Sequence, residues 1–595
     1  MPPVSPSFDP ASAAERRRVA LGPPFGRLLL VWTLLALGLG LVIAVFGSLT
    51  YRDWTTERFF FWRQDAPVLA ACIALTAALG LTPAAWLARI GAWRGPSSRA
   101  RVGLIAAVCL VAGWVGWRLV FGAYAFSLDE FLANFDAQIF ASGRLMAPVP
   151  RAWQGYVPAL QPMYMLPLPN DLWASSYLPV NAGLRAIGRL AHAESLVNPL
   201  LSAVSIVAVW GVGRQLWPER PSLALIAAAL MGTSPQLIVM SMTAYAMPAH
   251  LAFNLVWLWL FLRGGRLGHV GAIAVGFLAT GIHQLIFHPM FVAPFVLQLW
   301  LRRRWGLGAL YTLAYAATCL FWIEYWPLAS AVSGVHPGET DSTGGDYLMD
   351  RIGDVLDNLY WRDVGVFAQC IVRFATWQNL IVAPLALVGA VSAIRTKGYL
   401  RPLVLGVLLT LVAVFVATPT QTHGWGYRYL HGLLGSIALV AAWGWARLTD
   451  ALDAPRKAAA AGALAVACAM SLMVLTPVRA WQAWDYVRPF AAANAAVQSA
   501  PADVVVIDHN SSILFDMGTL TRNDPFLTHR PKVVALVALT DAGVRQLCAA
   551  QRVLVFDGDS AKAWGLDTVP WNGSTYAAHV RALMQSLGCY RVMAR

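Results

Sequence analysis

Over most of its length this chain does not alternate apolar and polar positions. It runs apolar for stretches near the ~20 residues that carry a helix across a hydrocarbon core, then breaks at short arginine-bearing loops. Such runs occupy 28–49, 67–88, 102–121, 196–217, 223–242, 249–262, 270–287, 290–301, 307–326, 380–394, 403–417, 433–445 and 460–475, which predicts about thirteen spans. Two more polar stretches, 122–198 and 327–377, interrupt the series. In the first, Leu128, Phe131, Leu132, Phe135, Ile139 and Phe140 recur at helical spacing, predicting a helix over 129–144 that lies along the membrane surface with Asp129 and Asp136 sharing its other face. Pro148, Pro150, Pro158, Pro162, Pro167 and Pro169 punctuate the segment after that helix, and 177–190 predicts a second surface helix. In the second stretch, Leu348, Ile352, Val355, Leu356 and Leu359 oppose Asp350, Asp354 and Asp357, giving a helix that is either a lid or an ordinary surface helix. After Thr476 the pattern changes. Short β-branched runs at 504–507, 533–536 and 553–556 are separated by helical stretches at 541–550 and 576–587, the pattern of a small α/β domain.

The expected fold is therefore an α-helical polytopic membrane protein with external surface helices and a small C-terminal α/β domain. Its divisions are a disordered N-terminus (1–27), two N-terminal spans (28–101), a transmembrane core (102–478) and the α/β domain (479–595). Composition supports this: 58% hydrophobic and only 12% charged residues, 26 Trp and a mean hydropathy of +0.57 exclude an ordinary soluble protein. The net charge of +14 does not point to nucleic acid, because the arginines cluster in short loops at 89–101, 214–220, 263–266, 302–304, 395–401 and 447–457. Those loops fall on one side and mark it as cytoplasmic, with anionic membrane lipid as their partner. The reading places the chain in a bacterial inner membrane, N-terminus inside, with Asp129 and the C-terminal domain at the periplasmic face. Of the seven cysteines, five are in or near apolar runs; Cys548 and Cys589 lie outside them, where they can pair.

Chemistry concentrates at 126–145, FSLDEFLANFDAQIFASGRL. Asp129 and Glu130 come directly after an apolar run, and desolvation there would raise a carboxylate's pKa and make it a better proton acceptor. The bland alternative is a polar loop that ends a helix. Trp153, Tyr156, Tyr164, Trp173 and Tyr177 are aromatics able to stack on sugar rings, although interfacial aromatics are common in any membrane protein.

Three segments carry a resemblance: LDEFLANFDAQIFASGRL at 128–145, SSYLPVNAGLRAIGRL at 175–190 and HGWGYRYL at 423–430. Their order and common sidedness resemble the GT-C superfamily of polyprenyl-phosphate-sugar glycosyltransferases, especially the protein O-mannosyltransferase and lipid A aminoarabinose transferase types. The resemblance covers 102–445 and implies a polyprenyl-phosphate-sugar donor and a lipid, glycan or protein acceptor at the outer face. It leaves a divalent metal, Mg or Mn, possible without requiring one. Three departures stand out. The first two spans are additional, the loop SMTAYAMPAH at 241–250 lacks an Asp common in relatives, and His283 and His288 stand near where relatives carry a Lys.

A sugar linked through phosphate already has a good leaving group, so transfer needs a base for the acceptor hydroxyl and cations for the departing phosphate. Asp129 is the expected base, and Glu130 assists it or orients the helix. Arg428 suits the phosphate because its planar fork is permanently charged. Arg118 either helps or snorkels to the interface. Tyr429, His283, His288 and His423 are further donor-phosphate candidates; Asp136, Glu324, Trp153 and Tyr177 are candidates for substrate contact. Direct attack by the acceptor would invert the anomeric centre. The alternative for Arg428 is a structural pair with an external carboxylate such as Glu324. The alternative functions are a lipid-linked-sugar flippase, which would not consume its donor, and an O-antigen-type polymerase or ligase, which would prefer a lipid-diphosphate oligosaccharide.

Overall fold

The computed structural model of the chain describes residues 25–50, 56–92, 95–161, 163–169, 171–335, 353, 361–396, 398–417, 421, 424–508, 517–566 and 575–593. The N-terminal stretch through Pro24 and almost all of the surface helix expected at 346–360 lie outside these residues. The described part is a helical membrane bundle with a small α/β domain attached.

The first helix, α1, covers Phe25–Thr50. Thr56–Phe60, a π turn at Phe61–Asp65 and Ala66–Leu81 continue one another as α2. The chain ahead of the second apolar run is thus helical from Thr56 onward, and Asp65 within it is buried. Burial of an acid requires partners: Arg373 Nε lies at 2.7 Å and Arg479 Nη2 at 3.3 Å. Helix α3 spans Ser98–Leu119, its first turn capped by Ser97. The surface helices are α4, Leu128–Ala141, and α5, Val180–Leu190. They pack together, and each is shorter than its apolar pattern suggested. Between them the Pro-rich segment forms a two-residue antiparallel pairing of β1 (Ala147–Pro148) with β2 (Leu172–Trp173).

Helix α6 covers Val197–Leu216. The run at 223–242 is not one span, because it breaks into α7 (Pro221–Gly232) and α8 (Pro235–Ser241) with a 60° bend. The cause is local. Ser234 Oγ accepts from Leu237 N at 3.5 Å and Pro235 sits in the first turn, a start signal that ends the preceding helix. Next come helices α9 (Met247–Arg263), α10 (Gly265–Thr280), α11 (Phe287–Leu301), α12 (Trp305–Ile323), α13 (Trp361–Thr376), α14 (Val382–Ile394) and α15 (Leu400–Ala417). A 3-10 turn, Arg428–Leu433, leads into α16, Leu434–Thr449.

Helix α16 is the axis of the bundle, apolar and buried nearly all round, as a helix enclosed by others should be. It crosses α14 at a glycine pair. A Cβ on Gly444 would stand 2.0 Å from the Leu385 carbonyl oxygen, and one on Gly389 2.0 Å from that of Val440, so only glycine permits the approach. Among the described residues seven helices, with the 3-10 turn counted into α16, are long and apolar enough to cross a membrane, or eight if α7 and α8 form one bent span; α11, α14 and α15 are apolar but shorter. The chain is a multi-pass membrane protein.

The last helix does not stop where the sequence turns polar. Ala454–Met470, a π turn at Ser471–Leu475 and Thr476–Gln498 form one continuous α17 that leaves the apolar bundle and carries the C-terminal domain. That domain is built on a parallel sheet in the order β4-β3-β5, with β3 Val504–Asp508, β4 Lys532–Ala535 and β5 Val553–Asp557. Its inner strand is buried along nearly its whole length, which fits the continuous β-branched runs. Helices α18 (Asp541–Ala550) and α19 (Thr575–Ser586) pack on it. Cys548 and Cys589 are joined by a disulfide. The domain shares an apolar cluster with the Pro-rich segment, including Tyr156, Leu160 and Trp173 against Val534, Leu536 and Leu547.

Candidate functional site

The first turn of α4 places two neighbouring carboxylates in opposite tasks. Ser127 and Glu130 form a reciprocal capping box: Ser127 Oγ accepts from Glu130 N at 3.2 Å, and Glu130 Oε2 accepts from Ser127 N at 3.1 Å. Glu130 Oε1 also accepts from Ala244 N at 2.9 Å, tying α4 to the loop after α8. Glu130 is wholly buried, and burial raises its pKa. Of the two roles expected for it, the helix-orienting one matches these bonds. Asp129, a hundred degrees or so round the helix, faces elsewhere. Its carboxylate pairs with the guanidinium of Arg428 and accepts from Tyr177 Oη at 2.5 Å.

Arg428 reaches this carboxylate because of the turn before it. Gly424 and Gly426 have φ of 132° and 78°, and a Cβ on Gly426 would meet Gln236 at 2.5 Å, so the GWGYR sequence folds tightly against α8. Arg428 N then donates to Gln421 Oε1 at 2.8 Å, and Gln236 Nε2 donates to the Tyr427 carbonyl at 3.0 Å. The guanidinium lies over the rings of Tyr245 and Tyr429, at 5.3 and 5.7 Å. The structural alternative for Arg428 named the wrong carboxylate: its partner is Asp129, not Glu324, which sits at the end of α12.

Tyr177 is held from both sides. Its ring stacks on His283 at 4.2 Å between centroids, and the chain leading to it is braced by Asp136, which accepts from Ser175 Oγ at 2.5 Å and Ser175 N at 3.1 Å. Asp129 and Asp136 share a helix face, as their spacing predicts, and Asp136 is buried with its carboxylate bonded in this brace. Burial pushes its pKa up to about 6, and burial first, then the Asp129 charge, holds the Tyr177 phenol well above its ordinary value.

Arg428 also borders a small, partly open cavity whose walls include Met247, His250, Asn254, Phe287, Tyr429 and Leu433. One end is charged, the rest is mostly apolar. His250 and His283 are buried, and neither ring nitrogen of either has a hydrogen-bond partner among the described residues. His288 is different: both its nitrogens are bonded, to Asn254 and Tyr315 at 2.7 Å each, so it is a packed core histidine. Among the described residues no group of three or more His, Cys, Asp or Glu side chains is placed to hold a metal ion.

Two other candidates, Arg118 and Trp153, fall apart from this cluster. Arg118 lies exposed on α3 with its guanidinium 5.5 Å from the Trp114 ring. Trp153 packs on Tyr156 at 5.6 Å in the cluster under the C-terminal domain. His423 lies outside the described residues. Tyr245, His250 and Gln421 enter the site without having been singled out. The first two come from SMTAYAMPAH, whose polar and aromatic content inside an apolar region was the available signal.

No protein-family model and no curated protein matches the sequence. Among solved structures the chain is similar to ArnT from Cupriavidus metallidurans bound to undecaprenyl phosphate, with 14% identity and a TM-score of 0.44 over 82% of this chain and 89% of that one. The apo state of ArnT gives 15% identity and a TM-score of 0.40 over 72% and 84%. An oligosaccharyltransferase of Archaeoglobus fulgidus in complex with zinc and sulfate gives 14% and 0.32 over 67% and 55%.

Proposed function

We propose that this protein is a membrane glycosyltransferase of the GT-C type that moves a sugar from a polyprenyl-phosphate donor to an acceptor hydroxyl at the periplasmic face of a bacterial inner membrane. The observation that carries the reading is the near-buried triad of Asp129, Arg428 and Tyr177 at the edge of a mostly apolar cavity. A lipid phosphate needs a fixed cation at the boundary of an apolar channel, and an acceptor hydroxyl needs a carboxylate beside it. This site supplies both within one hydrogen-bonded unit.

The pairing suggests an order of events. Without donor, Arg428 neutralises Asp129 and makes it a poor base. A phosphate entering the cavity competes for the guanidinium, since Arg serves phosphate and carboxylate oxygens alike. That frees a lone pair on Asp129 as the donor arrives. The acceptor oxygen then attacks the anomeric carbon, its proton passes to Asp129, and the carbon–oxygen bond to phosphate breaks. The negative charge that grows on the phosphate is met by Arg428. Single displacement inverts the anomeric centre. Glu130 and Asp136 keep the geometry and take no proton.

The test is direct. Purified protein in lipid nanodiscs is given a polyprenyl-phosphate sugar labelled in the sugar, with an outer-membrane lipid, glycan or peptide fraction as acceptor. Release of polyprenyl phosphate with label passing to acceptor supports the proposal. Movement of intact donor across a bilayer without consumption, or use of lipid-diphosphate oligosaccharides alone, overturns it.

A further inference from the structure

The C-terminal domain reaches the site through one buried side chain that the proposed reaction does not use. Arg522, between α17 and β4, is 6% exposed. One terminal nitrogen donates to the Ala125 carbonyl and the other to the Phe126 carbonyl, the second at 2.6 Å. Its guanidinium lies over the rings of Tyr124 and Phe131, at 4.4 and 5.0 Å. Residues 125 and 126 lead directly into the cap at Ser127, and Phe131 belongs to the first turn and a half of α4. The same planar group therefore grips the chain entering α4 and the helix itself, on both sides of Asp129.

Arg522 is itself rigidly mounted. Its Nε donates to the Thr519 carbonyl at 2.8 Å, and its own carbonyl accepts from Gln498 Nε2 on α17 at 2.8 Å. Asn523 beside it bonds the Leu160 carbonyl at 3.0 Å and the Val533 carbonyl at 2.8 Å. The location is also electrostatically unfavourable on its face, because a cation stands at a helix N-terminus where the helix dipole is positive. The carboxyl of buried Glu130 lies near enough to interact with it. An arginine in this place adds no net attraction for the helix end; what it adds is fixed geometry.

We infer that Arg522 is a positioning residue through which the docked C-terminal domain sets the rotation of the first turn of α4, and with it the direction of Asp129. The effect on transfer rests on the glycosyltransferase reading; the effect on the helix does not. The hydrogen bonds of the Arg522 guanidinium run to the chain entering α4 and to its own loop, so its loss should separate rate from donor binding.

The experiment uses full-length protein in nanodiscs, comparing wild type with Arg522→Ala and Arg522→Lys. Hydrogen exchange is measured at the amides of 129–132 and of β3, together with binding of undecaprenyl phosphate and turnover of the donor sugar. In Arg522→Ala, exchange at 129–132 should rise at least about tenfold while β3 keeps its protection. Affinity for undecaprenyl phosphate should stay within about threefold, and turnover should fall by about a hundredfold, the scale of an ångström-level misplacement. Arg522→Lys should recover part of the turnover, as should added guanidinium ion with the Ala variant. If Arg522→Ala fails to accumulate, Arg522→Lys alone carries the comparison, with a smaller but still selective effect at 129–132. Unchanged exchange at 129–132 overturns the inference, as does a rise spread over β3 with parallel loss of affinity, which is a merely structural role. A wild-type protein inert toward every polyprenyl-phosphate sugar overturns the reaction alone, and the exchange pattern still decides Arg522.

Discussion

At the scale of the residue, the Asp129–Arg428 pair makes stability and chemistry hard to separate by single substitution. Their side chains are 15% and 10% exposed, so each depends on the other for compensation of its burial. Removing one partner should cost about 2 to 3 kcal/mol, somewhat below the cost for a fully buried pair. Asp129→Asn is therefore expected to lower the unfolding temperature as well as to reduce turnover by roughly a hundredfold or more, the scale of a positioned base. Arg428→Ala should destabilise similarly and also weaken undecaprenyl-phosphate binding. The double variant Asp129→Asn/Arg428→Ala should regain stability relative to either single change but no activity, a coupling that a thermal-shift double-mutant cycle measures. A second change at Glu324 should restore nothing. Arg428→Lys should keep part of the donor affinity and lose more of the rate, because a point charge cannot serve two oxygens of the phosphate at once.

Among the elements, α4 carries Glu130 in its cap and Asp136 in the brace to Ser175. Asp136 has a native pKa near 6 against an ordinary value of 3.8, so between roughly pH 4 and 6 the native protein holds a proton that the unfolded chain has released. Stability should then fall as pH rises through that window. Asp136→Asn should flatten this part of the profile in thermal unfolding at pH 4 to 7, while a slope that survives the substitution would place its source elsewhere. Helices α14 and α16 make a different prediction. Gly444→Ala forces a methyl group onto the Leu385 carbonyl and should cost at least about 2 kcal/mol. Gly38→Ala on α1, where nothing lies within 4 Å, should be neutral or gain up to about 1 kcal/mol from helix propensity. In the C-terminal domain, replacing Cys548 and Cys589 together by Ala should cost about 2 to 4 kcal/mol, measured as earlier protease cleavage of the domain in urea. Alkylation without reductant should find neither thiol free.

On the scale of the whole molecule, the N-terminal helices are fastened to the bundle by charge. Asp65 on α2 meets Arg373 from α13 and Arg479 from α17, and Arg479 lies 4.5 Å from the Trp377 ring. Asp65→Asn would leave two buried cations without their carboxylate and should cost at least about 3 kcal/mol. The unfolding temperature of the entire protein should drop, not that of one segment; loss confined to the first two helices would show them to be an appendage. The membrane class, the places of most helices, the helix bearing Asp129, the α/β domain and its disulfide were all legible in the sequence. Each is a property of local composition and period, or of two cysteines left outside the apolar runs. What only the tertiary structure decided was partnership. Arg428 and Asp129 are 299 positions apart, and nothing in the spacing of either distinguishes that pairing from one with Glu324. Glu130 and Asp136 stood beside Asp129 as candidates, and the fold bonds them to Ala244 and Ser175; His288, a donor-phosphate candidate, it bonds to Asn254 and Tyr315. A polar group inside a membrane bundle must find a partner, which a one-dimensional pattern can require; which partner it finds depends on how the helices pack, and that is settled only in three dimensions.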